Sequence, residues 1–96
     1  MDTKQIKELK AKAKTLDPIL RIGKNGITDT LILEIKKQLK KNHLIKIKIL
    51  KSAREQENID KKAFIDKKAF VNDIVQRTES ELIELIGYVF VLYKKN

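Results

Sequence analysis

The 96-residue chain has no cysteine and no tryptophan, and it holds only one histidine and one proline. The lack of cysteine excludes a disulfide-stabilised scaffold, a zinc finger and a cysteine nucleophile. No apolar run approaches the roughly 18 residues that a membrane-spanning helix needs. The N-terminal residues also lack the apolar core of a signal peptide. We therefore expect a cytoplasmic protein without membrane contacts.

Ligands for a metal ion are also scarce. His43 has no second histidine and no cluster of carboxylates to complete a coordination shell. It is expected instead to be a polar residue at a helix end, near the last carbonyls of that helix. We expect no metal, no cofactor and no small-molecule substrate.

Hydrophobic residues make up 42% of the chain, which is enough for one compact core. The length fits a single domain over residues 1–96. The net charge is +9, and it is distributed unevenly. Residues 1–54 hold 15 basic and 5 acidic side chains, whereas residues 55–96 hold 7 and 8. A basic half that faces a polyanion explains this asymmetry, and a generally lysine-rich surface is the alternative.

Periodicity and capping signals predict the order α-β-α-β-α-β-β. Alternating isoleucines and lysines after His43 are typical of a half-buried strand. Asp2 and Thr28 are candidate N-caps for the first two helices. The expected elements are a helix over 2–16, a strand over 19–22, a helix over 29–42, a strand over 44–50, a polar loop over 51–58, a third helical region, and strands over 82–86 and 89–93.

The hexapeptide IDKKAF occurs twice in succession, over residues 59–70. A step of six residues turns a helix through about 600°, so the two copies cannot present the same face. Within the third helix, Phe70, Val71 and Ile74 are expected on the core-facing side and Ala69 outside it. Two copies are too few for a repeat architecture, which favours a tolerated duplication over a functional extension.

The first two strands and the helix between them form a βαβ unit, which is almost always a right-handed crossover with parallel strands. The carboxyl ends of parallel strands meet at one edge of the sheet, and ligands of open α/β sheets bind there. The loop Gly23–Gly26 leaves the first strand at this edge, and Lys51 and Arg54 follow the second. We therefore expect basic groups that are distant in sequence to converge beside this loop.

The loop has the sequence Gly23-Lys24-Asn25-Gly26 and leads into a helix. Glycines let the main chain turn tightly and approach a ligand closely. Lys24 supplies a cation, and Asn25 tolerates a left-handed backbone and offers amide donors. The start of the following helix adds unpaired N–H groups that attract anions. A G-x-x-G pattern alone is also compatible with a plain turn, but this context favours binding of a phosphate backbone, as in KH modules.

The segment Ile22–Thr28, together with Glu34-Ile35, Leu44–Lys48, Thr78 and Val91–Tyr93, resembles the CRM (YhbY-like) RNA-binding domain family. The resemblance covers nearly the whole chain. It implies an α/β sandwich of a four-stranded mixed sheet and three helices, similar to the C-terminal domain of the third bacterial initiation factor. It also implies RNA binding, with stand-alone members tied to assembly of the large ribosomal subunit. The chain departs from the family where Glu79 and Ser80 replace the usual glycines after Thr78.

The leading hypothesis is a non-catalytic protein that binds structured, ribosomal RNA through the loop and the adjoining basic surface. A duplex-DNA binder similar to archaeal chromatin proteins is the alternative, and a small nuclease is a third possibility that no acid pair supports. The predicted RNA-binding residues are Gly23, Lys24, Asn25, Gly26, Arg21, Thr28, Lys51, Arg54, Lys7, Lys10 and Lys14.

Overall fold

A computed structural model of the chain describes residues 2–56 and 64–95. Residues 59–63 of the first IDKKAF copy therefore lie outside the described part, and the second copy, residues 65–70, lies entirely within a helix. The elements are α1 (Thr3–Ala13), β1 (Leu20–Ile22), α2 (Asp29–Asn42), β2 (Leu44–Ile49), α3 (Lys51–Gln56), α4 (Phe64–Thr78), β3 (Glu81–Ile86) and β4 (Val89–Tyr93).

The strands form one mixed sheet in the order β1-β2-β4-β3. β1 and β2 are parallel, as the βαβ unit predicts, and the two other pairings are antiparallel. Gly87 takes a φ of 59° at the first position of the β3–β4 hairpin turn, a conformation that favours glycine. The mixed four-stranded sheet with covering helices confirms the predicted fold class.

Helices cover both faces of this sheet. On one face, α2 and α4 bury the main core around Ile35, Ile47 and Phe90. On the other face, α1 packs Leu9 and Ala13 against Ile83 and Val91. Alternation along β2 explains the division, because Ile45, Ile47 and Ile49 point into the main core while the intervening lysines point the other way.

Two helix boundaries follow the predicted caps closely. The Asp2 carboxylate accepts a hydrogen bond from the Gln5 backbone N–H at 2.8 Å, and the Thr28 hydroxyl accepts one from Leu31 N–H at 3.0 Å. α2 spans the predicted 29–42, whereas α1 ends at Ala13 rather than at residue 16. In α4, Phe70, Val71 and Ile74 are buried and Ala69 is exposed, as the helical periodicity predicts.

The polar loop predicted over 51–58 is wrong for its first six residues, which form α3. This short helix makes four helices in the described residues instead of three. Ala53 explains the difference, because its side chain is fully buried in the main core and its N–H donates to Leu50 O at 3.0 Å. One small apolar residue in a polar segment anchors a helical turn that hydrophobic periodicity cannot detect.

Within the described residues, no helix is long and apolar enough to cross a membrane.

Glu79 ends α4 in a left-handed conformation, with a φ of 53°. Ser80 N–H donates to Val75 O and Glu79 N–H to Gln76 O, which is the hydrogen-bond pattern of a Schellman cap. Glycine is the usual residue at this position of the motif because it has no Cβ to clash. The ion pair of Glu79 contributes little stability, because its carboxylate oxygen lies 3.9 Å from Lys94 Nζ and the side chain is largely exposed.

We expect Glu79→Gly to stabilise the protein by about 0.5–1 kcal/mol, because relief of left-handed strain exceeds the added entropy of the unfolded chain. Urea denaturation of both proteins measures the change. A variant that lowers the midpoint would show that the cap is not strained. Glu79→Ala serves as the control, since it removes the carboxylate but keeps the Cβ.

Candidate nucleic-acid interface

The carboxyl ends of β1 and β2 lie side by side. Leu50 N–H donates to Ile22 O at 2.9 Å, so the chain leaves both strands at the same edge of the sheet. A β-carbon built on Gly23 would lie 3.8 Å from Ser52 Oγ, which places the loop against the start of α3. Lys24 and Lys51 therefore emerge at one edge from distant parts of the sequence, and Arg54 follows in α3.

The loop Gly23–Gly26 is a β-turn closed by a hydrogen bond from Gly26 N–H to Gly23 O at 2.9 Å. Its two central residues, Lys24 and Asn25, are exposed. The left-handed position falls on Gly26, with a φ of 64°, and not on Asn25. The tolerance of Asn25 for that conformation is therefore not used, because a turn of this type places its glycine at the fourth position. The exposed tip is therefore a cation beside an amide.

The two glycines of the loop contribute differently to the stability of the turn. Only Gly26 needs a left-handed backbone, whereas a β-carbon on Gly23 makes an ordinary contact. We expect Gly26→Ala to destabilise the protein by about 1 kcal/mol and Gly23→Ala by much less. Thermal unfolding of the two variants, each compared with the unmodified protein, measures the difference. Equal losses would show that the turn tolerates a β-carbon at both positions alike.

Thr28 and Asp29 connect the loop to α2. The Thr28 hydroxyl is half-buried and accepts the capping hydrogen bond from Leu31 N–H. This hydrogen bond therefore fixes the start of α2. Asp29 is exposed in the first turn, where a negative charge favours the helix but opposes a phosphate placed directly against it. A phosphate is consequently better accommodated toward Lys24 than along the axis of α2.

The lysines of α1 lie on two different flanks of the helix. α1 packs on Leu44 and Tyr93, which lie in the half of the sheet opposite the loop. A cavity of about 670 Å³ at that far edge is lined by Lys12, Leu16 and His43 among others. Helical spacing places Lys10 and Lys14 on the opposite flank of α1, toward the half of the sheet that ends in the loop, with Lys7 turned further toward solvent.

Arg21 lies in β1, on the face of the sheet that α1 covers only in part. Its register partner in β2 is Lys48, and both side chains are exposed. Within residues 2–56 and 64–95, no carboxylate forms an ion pair with either. Lys48 is a basic residue of this edge that the predicted site did not include. Strand alternation places it opposite the isoleucines, but its pairing with Arg21 requires the sheet register.

Two further side chains have defined surroundings. Tyr88 follows Gly87 in the β3–β4 hairpin turn, at the same edge of the sheet as the Gly23–Gly26 loop. It is half-buried against the main core, and Lys67 Nζ lies 5.0 Å from the centre of its ring.

His43 caps α2 through a hydrogen bond from its N–H to Leu39 O at 2.8 Å, as predicted for a helix-end residue. In the described part of the chain, no group of three or more metal-ligating side chains is close enough to hold an ion.

Comparison with known proteins identifies the family of this chain. The model of the CRS1 / YhbY (CRM) domain matches residues 1–94. The chain belongs to the CRM domain family. The resemblance predicted from the Ile22–Thr28 segment is therefore confirmed, and the match extends over both faces of the sheet.

Stand-alone CRM proteins of bacteria are similar to this chain over nearly its whole length. An RNA-binding protein of Haemophilus influenzae is 33% identical over 94 residues, which cover 98% of this chain and 85% of the relative. YqeI of Bacillus subtilis, named as a probable RNA-binding protein, is 33% identical over 93 residues, with 97% and 86% covered. The solution structure of the hypothetical protein SAV1595 from Staphylococcus aureus superposes with a TM-score of 0.75 at 34% identity, over 100% of this chain and 90% of that one.

Proposed function

We propose that this CRM protein is a non-catalytic RNA-binding protein that holds the phosphate backbone of structured, large-subunit ribosomal RNA at its Gly23–Gly26 loop during ribosome assembly in the cytoplasm. The observation that carries the proposal is the exposed Lys24 at the tip of a turn that lies against the start of α3. Membership of a family whose relatives are named RNA-binding proteins supports RNA as the polyanion.

The loop offers the features that a phosphate backbone requires. Lys24 and Asn25 supply exposed donors on a hydrogen-bonded turn, and Arg21 in β1 and Lys51 in α3 add positive charge near it. Such contacts position RNA without specifying its sequence, because phosphates carry no base information. We infer that selectivity for a ribosomal site comes from the shape of the folded RNA.

A competition experiment at fixed salt tests the polyanion. A labelled fragment of large-subunit ribosomal RNA is bound to the protein and displaced by unlabelled structured RNA or by duplex DNA of equal length. We expect RNA to compete at much lower concentration than DNA. Equal competition would favour the duplex-DNA alternative, and magnesium-dependent cleavage of the label would instead favour a nuclease.

Sequencing of the RNA that co-purifies with the protein from its native cell tests the target. The proposal expects enrichment of large-subunit ribosomal RNA or its precursors over other transcripts. Enrichment of messenger or transfer RNA alone would leave RNA binding in place but exclude a role in assembly of the large subunit.

A further inference from the structure

One row of side chains crosses the sheet beside the loop, on the face that α1 leaves open. The register pairs Arg21 with Lys48, Lys48 with Val89, and Val89 with Ile86. The row thus contains one residue from each strand, two basic and then two aliphatic. With strands about 4.8 Å apart, it extends for about 14 Å.

The row lies outside the contact between α1 and the sheet. α1 packs on Ile83, Val91, Leu44 and Tyr93, which belong to the neighbouring rows toward the far edge. Ile86 is 65% exposed, and it is one of three large hydrophobic side chains exposed in the described residues. Val89 is half-buried, and Arg21 and Lys48 are exposed. The row is therefore a solvent-facing strip in which charge and apolar surface are separated.

We propose that this strip, Arg21–Lys48–Val89–Ile86, binds a single-stranded segment of the RNA that the loop holds. Arg21 and Lys48 contact phosphates over β1 and β2, and the aliphatic half contacts a base or ribose. Charge determines which half of the strip the phosphates contact. Glu84 lies in the next row on the β3 side and would repel phosphates there. Arg21 is only three residues from Lys24, so one strand of RNA can reach both sites. This inference rests on the proposed RNA binding and extends it to a second contact.

Separation of charge and apolar surface allows a test with two kinds of variant. The double variant Arg21→Gln/Lys48→Gln removes two phosphate contacts, and Ile86→Thr removes apolar contact while keeping a residue that favours strands. The matched control is Lys37→Gln/Lys41→Gln, which removes the same charge from exposed positions of α2. Circular dichroism and thermal unfolding check that all three proteins remain folded.

Fluorescence anisotropy measures the affinity of each protein for a structured RNA with a single-stranded overhang at several salt concentrations. We expect the slope of log affinity against log salt to become less steep by about 1.4 in Arg21→Gln/Lys48→Gln, since each phosphate contact on a single strand contributes about 0.7. We expect Ile86→Thr to lower affinity about tenfold with an unchanged slope. The control should lose less of the slope than the double variant.

The outcomes separate the strip from the loop. If the strip variants bind like the unmodified protein while Lys24→Glu loses affinity, the strip is not a contact but RNA binding through the loop stands. If neither the unmodified protein nor any variant binds RNA, both proposals fail. If sedimentation shows a stable dimer that Ile86→Thr dissociates, the strip is an interface between copies of this chain and the proposal is overturned.

Discussion

We expect Lys24→Glu to lower the affinity of the protein for ribosomal RNA fragments by about 10- to 100-fold at low salt, because it replaces a charge-assisted phosphate contact with repulsion. The side chain is exposed at the tip of the Gly23–Gly26 turn and forms no ion pair with the described residues, so its charge is available to a ligand. Filter binding or anisotropy at two salt concentrations measures the effect. The difference between the two proteins should shrink as salt rises.

Lys37→Glu is the matched control for this charge reversal. Lys37 is exposed on the outer side of α2, and its substitution changes the net charge by the same amount. A protein that binds through its overall charge alone would lose equal affinity in both variants. Binding of Lys24→Glu that matches the unmodified protein would show that the loop does not contact RNA.

Phe90→Ala should destabilise the protein by about 3–5 kcal/mol, the range for removal of a fully buried aromatic side chain. Phe90 is fully buried in β4, between Ile47 of β2 and Leu85 of β3. A domain of this size has a total stability of about 5–15 kcal/mol. We expect the variant to unfold at a much lower denaturant concentration than the unmodified protein, and denaturant titration measures the loss.

Leu33→Ala is the control for that substitution. Leu33 is 66% exposed on α2, and the structure gives it no packing role. Its replacement should change the free energy of unfolding by less than about 0.5 kcal/mol. A loss at Leu33 comparable to the loss at Phe90 would mean that the outer side of α2 is covered in solution.

Local signals predicted α2 and the β3–β4 hairpin most accurately. Thr28 caps α2 as the sequence indicates, and Gly87 marks the turn between β3 and β4. α3 was missed because a single buried alanine carries no periodicity. The insertion of β4 between β2 and β3 comes from pairing between distant strands, which no local pattern encodes. The family resemblance supplied the mixed sheet.

The loop itself was predictable from the sequence, but its surroundings were only partly so. The convergence of Lys24 and Lys51 follows from parallel strands, and the structure places both at the same edge. Asn25 tolerates a left-handed backbone, but the turn gives that conformation to Gly26, which the sequence alone does not specify. The pairing of Arg21 with Lys48 depends on register, which a sequence fixes only through the packing of a whole sheet. Lys10 and Lys14 lie on the flank of α1 that faces the loop half of the sheet, but α1 itself packs over the opposite half.

The central claim is that RNA binds at the edge where β1 and β2 end. Amide chemical shifts of the ¹⁵N-labelled protein, recorded during titration with a ribosomal RNA fragment, test it residue by residue. We expect the largest changes at Gly23–Gly26, Lys51 and Arg21, with little change around the far-edge cavity lined by Lys12 and His43. Changes confined to that cavity, with the loop amides unmoved, would contradict the claim.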